Sequence, residues 1–122
     1  MGGTVKADIQ RRRDDARESI YAEIDAERER QDKKHGTEMD LPIVLGEDLR
    51  LVEYHEYVQR VYDMRERKGL LSHSLTLVEE VSELVHARTM SEREAEAIQV
   101  AACAVKLIEA IRWQRRVTRG TK

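Results

Sequence analysis

Five side chains in two short runs are the ones whose types and spacing could do chemistry. The first run is Glu79-Glu80-Val81-Ser82-Glu83, and after a gap of twelve residues comes Glu96-Ala97-Ile98-Gln99. On a helix advancing 100° per residue, Glu79, Glu80 and Glu83 fall within about 100° of one another. Like charges at such spacings destabilise a helix by roughly 0.2–0.5 kcal/mol per pair. A hard divalent cation would offset that repulsion. A solvated acidic face is the alternative, and the run taken alone does not choose between them.

The elements that must position these residues are helices. Around the acidic run, Leu71, Leu75, Val78, Val81, Leu84 and Val85 recur at spacings of three and four, which predicts an amphipathic helix from about Leu70 to Arg88 with a buried stripe. Ser91-Glu92-Arg93-Glu94 has the pattern of a capping box, with Ser91 at the N-cap, and predicts a last helix from Glu92 to about Val117. Its expected buried stripe is Ala95, Ile98, Ala102, Val105, Ile108 and Ile111 or Arg112. Beside that stripe Glu96, Gln99, Cys103 and Lys106 form a polar line. So short a connection forces the two helices to pack antiparallel. Glu80 and Glu83 then face Glu96 and Gln99 at nearly the same height.

Upstream, residues 1–5 are expected to be disordered and Lys6 to Lys34 helical. Gly36 is a natural C-cap, and Lys33, Lys34 and His35 complement the helix dipole. Thr37 to Gly46 reads as a loop around the only proline, Pro42. Glu47 to Lys68 reads as a helix turning Leu49, Val52, Val58, Val61 and Tyr62 inward, and Gly69 breaks it. The organisation expected is a flexible or helical extension over 1–19, a helical domain over 20–117 and a basic disordered tail over 118–122.

Composition bounds the class. With 122 residues, 38% charged, no Phe and one Pro, the chain is expected to be a single-domain, all-α protein, an antiparallel helical bundle. Aromatics at 4% argue against a base-stacking nucleic-acid platform. The basic C-terminal stretch, Arg112, Arg115, Arg116, Arg119 and Lys122, suits a helix dipole better than a nucleic-acid patch. One cysteine, Cys103, excludes an internal disulfide and a cysteine-rich zinc site. There is no membrane-length apolar run and no signal-peptide core, so a cytoplasmic protein is expected.

Oxygen ligands from two antiparallel helices suit magnesium or manganese, which prefer carboxylate and water in octahedral geometry. Zinc or iron would want histidine, and His35, His55, His73 and His86 are not expected to share the acidic line. His86, three residues after Glu83, has the spacing of a di-iron Glu-x-x-His motif, but no second such pair exists. Magnesium dehydrates reluctantly and is rarely a pure staple, so a cage of this kind is expected to bind phosphate oxygens and activate water.

These two runs, Glu-Glu-x-x-Glu and then Glu-x-x-Gln, resemble the paired motif of the MazG-like all-α nucleoside triphosphate pyrophosphohydrolases, Glu-Glu-x-x-Glu followed by Glu-x-x-Asp. Glu27 to Gly36 and Glu94 to Ile111 look like a phage and actinobacterial branch of that family, and the likeness spans roughly residues 20–117. The resemblance implies a homo-oligomer, a dimer or tetramer of helical protomers. It implies that, with magnesium, water attacks the α-phosphorus of a (d)NTP to give a monophosphate and pyrophosphate.

Carried over residue by residue, the resemblance makes Glu80, Glu83 and Glu96 metal ligands and puts Gln99 at the family's Asp position. Glu79 becomes a further ligand or the general base. Lys106 is the expected neutraliser of phosphate charge, with Arg30, Gln31 and Lys34 as further substrate contacts. Gln99 departs from the pattern: an amide offers an oxygen but removes one negative charge from the cage. The resemblance implies that Gln is ordinary in this branch. The alternative function is a nucleotide-binding or interaction protein that keeps the fold with little turnover.

Overall fold

The computed structural model describes residues 2–37, 39, 43 and 49–120. These residues hold four helices and no strand: α1 (Gly2–His35), α2 (Leu49–Arg67), α3 (His73–His86) and α4 (Met90–Gly120). The chain divides into two compact units, Met1–Ile43 and Val44–Lys122. Most of the expected loop over 37–46 lies outside the described residues.

The first unit is α1. It begins at Gly2, ahead of the expected start at Lys6, because extending a helix that already exists adds one hydrogen bond per residue fixed. It also runs unbroken through the expected boundary at residues 19 and 20. Charged residues crowd its sequence and are held by near neighbours along the helix. Gln10 donates to Asp14 across 3.0 Å, Arg11 meets Asp8 at 2.7 Å, and Arg30 meets Glu27. Such pairs, three or four apart, each add a few tenths of a kcal/mol (~0.2–0.5). The end is as expected: Gly36 adopts φ +86° and its N–H donates to the Asp32 carbonyl across 2.8 Å.

In the second unit α3 is the central helix, packed against α2 on one side and α4 on the other. The turn between α2 and α3 is a Schellman motif. Gly69 sits at φ +68°, its N–H donates to the Glu66 carbonyl, and the Leu70 N–H donates to the Arg65 carbonyl across 2.8 Å. Ser72 then caps α3, accepting the Leu75 N–H at 3.0 Å. Reversals this short make neighbouring helices antiparallel.

Expectations about packing are corrected on three helices. On α3 the residue fully buried is Ser82, at 0% exposure, while Leu71, Val78 and Val85 of the expected buried stripe are exposed. Ser82 can be buried without penalty because its hydroxyl donates to the Glu79 carbonyl across 2.7 Å. On α4, Ile98 is 64% exposed and Ala95 and Ala102 are exposed too, whereas Val105 is buried, Ile108 is partly covered and the last place in the stripe falls to Arg112 rather than the exposed Ile111. Glu96, Val100, Cys103, Ala104 and Leu107 are partly covered instead. The face of α4 near its start that is withdrawn from solvent therefore includes a carboxylate, which no hydropathy pattern anticipates. On α2, Val58 is buried at 3% exposure and Val61 and Tyr62 are half-buried, but Val52 is exposed. The side chain of Leu49 lies outside the description.

The start of α4 is corrected as well. The cap is Thr89, whose hydroxyl accepts the Glu92 N–H at 3.1 Å, while the Glu92 carboxylate accepts the Arg88 N–H at 2.9 Å. Thr89-x-x-Glu92 satisfies the same Ser/Thr-x-x-Glu rule as Ser91-x-x-Glu94. The earlier of the two overlapping patterns wins, and α4 begins at Met90; it also runs on to Gly120, so residues 118–120 of the expected disordered tail are helical. The backbone N–H of Arg88 holds the Glu92 carboxyl below its usual range against the opposing effect of desolvation, with the Thr89 N–H helping.

Candidate functional site

The acidic run lies midway along α3, and it meets a different neighbour on each side. Toward α2, the amide of Gln59 donates from Nε2 to Glu79 Oε1 at 3.1 Å and to Glu83 Oε1 at 2.9 Å. One turn earlier on α2, His55 Nε2 stands 3.6 Å from the same Glu83 oxygen, an electrostatic rather than a hydrogen-bonding distance. The His55 ring stacks on His86 with centroids 4.1 Å apart and planes 2° from parallel. The expectation that no histidine shares the acidic line therefore fails at His55. The antiparallel docking of α2 brings it there from another helix.

Toward α4, the Glu80 carboxyl comes within hydrogen-bonding reach of Glu96 and also of Glu79. Desolvation first, then the charge of Glu79, then the contact and charge of Glu96 push Glu80 up from the usual carboxylate range to about 7. Glu96 Oε2 is buried with no hydrogen-bond partner among the described residues. Two acids on facing helices thus approach each other with no donor between them except a proton.

The polar line on α4 splits in two. Glu96 and Cys103 are partly buried, while Gln99 and Lys106 are exposed. A step of three residues falls about 60° short of a full helical turn, whereas a step of seven falls only about 20° short of two turns. Glu96 and Cys103 therefore share the inner edge, and Gln99 and Lys106 the outer. Burial raises the Cys103 thiol; the charges of Glu80 and Glu79 add to that, and Lys106 opposes it. Lys106 thus acts on the same neighbourhood from its rim. Tyr62 flanks the other side, raised by burial first and then by Glu66, Glu79 and Glu80. Arg30, Gln31 and Lys34 lie exposed on α1, in the other unit, where Arg30 is paired with Glu27.

Gln59 and His55 are the residues that sequence reasoning passes over. Their four-residue spacing, on a helix otherwise read for its apolar stripe, is the one signal that could have found them.

Among the described residues, no three histidine, cysteine, aspartate or glutamate side chains stand close enough together to hold a metal ion as they lie. The donor chemistry nevertheless fits a hard cation. The acidic groups are carboxylates, Glu80 crowds against both Glu79 and Glu96, and among the described residues the buried Oε2 of Glu96 has no hydrogen-bond partner. No protein-family model, curated protein or solved structure matches this chain. No helix among the described residues is long and apolar enough to cross a membrane.

Proposed function

We propose that the protein is a magnesium-dependent nucleoside triphosphate pyrophosphohydrolase of the MazG-like class, acting in the cytoplasm as a homo-oligomer on (d)NTPs. The observation that carries this reading is the meeting of Glu80 of α3, beside Glu79, with Glu96 of α4, whose buried Oε2 has no partner among the described residues. Crowded acids of this kind, with one raised to about 7, are a common mark of a functional site. Glu80, Glu83 and Glu96 would hold the cation, with Gln99 reaching in from the exposed rim. When bound, magnesium, or manganese in its place, supplies charge neutralisation at the phosphate oxygens and lowers the pKa of water.

The chain's own residues do the rest. Glu79 takes the proton from the water whose oxygen attacks the α-phosphorus. The bond from the α-phosphorus to the bridging oxygen breaks, and pyrophosphate leaves with that oxygen. Lys106, on the rim, offsets the charge of the phosphate chain. Purified protein with magnesium should release pyrophosphate from at least one member of a panel of canonical and damaged (d)NTPs. Orthophosphate alone, or no release across the panel, would sink the proposal.

Gln99 favours a second reading. An exposed amide where the resemblance expects an acid leaves the cage one charge short, which suits a protein that binds nucleotide and turns it over little. Calorimetry with a non-hydrolysable triphosphate and magnesium separates the two, since binding without measurable turnover supports the second.

A further inference from the structure

We propose that Gln59 of α2 is a positioning residue for the cation cage, a neutral clamp that holds Glu79 and Glu83 in one fixed arrangement. The inference rests on the metal-binding part of the reading above. Glu79 and Glu83 are one turn apart on α3, and two carboxylates at that spacing repel. Gln59 Nε2 lies 3.1 Å from one and 2.9 Å from the other, so each of its two amide hydrogens has its own carboxylate acceptor. Both hydrogen bonds end on Oε1, which keeps the two Oε2 atoms outside the clamp.

The choice of an amide is the physical point. A lysine or arginine here would hold the carboxylates equally well, but its charge would compete with a cation for them. A hydroxyl would have one hydrogen for two acceptors. An amide alone supplies two donors with no net charge, so it orders the acids without neutralising them.

The clamp is itself held. Gln59 is part-buried, Val58 beside it is buried at 3% exposure, and His55 one turn earlier backs Glu83 Oε1 from 3.6 Å while stacked on His86. Outer hydrogen-bond partners that orient ligating carboxylates typically change metal affinity by about 10–100-fold when removed.

The test is calorimetric titration of the full chain with magnesium chloride, comparing the parent with Gln59→Met, which keeps the length and loses both donors. The expected result is a magnesium affinity at least about tenfold weaker with unchanged helical circular dichroism. In the pyrophosphate assay, half-saturating magnesium should rise by a similar factor. Should Gln59→Met fail to fold, Gln59→Ala, which opens space rather than filling it, carries the same expectation.

A folded variant that binds magnesium within twofold of the parent overturns the clamp alone. A parent that binds no magnesium at millimolar concentration overturns the clamp and the metal reading together. A parent that binds magnesium without releasing pyrophosphate, beside a variant that binds it more weakly, supports the clamp and removes only the hydrolase.

Discussion

One pair of carboxylates within α3 and another between α3 and α4 are treated in opposite ways. Glu79 and Glu83 face α2, where an amide donates to both and an imidazole stands behind one of them. Glu80 faces α4, where the nearest partner is another acid, and the two can be reconciled only by a proton or a cation. On the α2 side the carboxylates have a donor in Gln59, and the buried atom left without a hydrogen bond is the His55 Nε2 behind them; on the α4 side it is a carboxylate oxygen, Glu96 Oε2, beside an acid raised to about 7. A bound ion would gain most on the α4 side, and the order in which substitutions hurt should reflect that.

The largest expected effect is on turnover. Glu80→Gln and Glu96→Gln should each cut pyrophosphate release by at least about 10²–10³-fold, a loss of roughly 3–4 kcal/mol of transition-state stabilisation. Both should leave the helical circular dichroism unchanged. Glu83→Gln should also abolish release, but because position 83 keeps its neighbours on α2, its fold should be the least disturbed of the three. Activity surviving in both Glu80→Gln and Glu83→Gln would break the assignment of the cage.

Magnesium itself should separate the two sides next. A ligand at about 100 times its dissociation constant stabilises the folded state by about 2.7 kcal/mol. Thermal melts with saturating magnesium chloride should therefore rise by several degrees in the parent. The shift should vanish in Glu96→Gln, whose metal-free form should nevertheless melt higher than the parent because the facing charges are gone. A parent melt indifferent to magnesium would return the acidic run to a mere solvated face.

How much of this was legible beforehand divides along the same line. Local chemistry was readable: Gly36 and Gly69 end helices in the left-handed conformation, and the short turn after His86 puts Glu80 and Glu96 at one height. The α2 side was not. Gln59 and His55 reach the acids only because α2 docks with that face toward α3, and docking phase is a tertiary property that no helical periodicity of its own states. Ser82 misled for a related reason, since a hydroxyl bonded to its own helix packs as tightly as an apolar residue. Ile98 misled in the reverse direction, being apolar in sequence and 64% exposed in the fold.

A smaller effect, with a distinctive sign, comes from pH. The folded Glu80 titrates at about 7 and its unfolded counterpart near 4.5, so between those values the folded protein holds the extra proton. Stability then falls as pH rises across that window; the contribution is complete below about 4.5 and lost through 7. For a half-buried acid the discounted magnitude is about 1–2 kcal/mol. Denaturant midpoints of metal-free protein should decline from pH 5 to pH 8, and Glu80→Gln should flatten that decline. An equal slope in the variant would show that the α4 side is no more strained than the α2 side.

The smallest effect tests what sets the register of the α4 side. Thr89 and Ser91 both begin a Ser/Thr-x-x-Glu pattern, but only the Thr89 hydroxyl accepts an N–H at the helix start, that of Glu92 at 3.1 Å. Thr89→Ala should cost about 1 kcal/mol in denaturant unfolding, the usual loss for a cap. Ser91→Ala, exposed inside the first turn, should stay within about 0.5 kcal/mol of the parent. Because the cap fixes where α4 begins, and so where Glu96 stands against Glu80, Thr89→Ala should also weaken magnesium binding slightly while Ser91→Ala leaves it alone. The reverse ranking would move the helix start two residues on and turn Glu96 by about 200° relative to it, which is a different face and a different site.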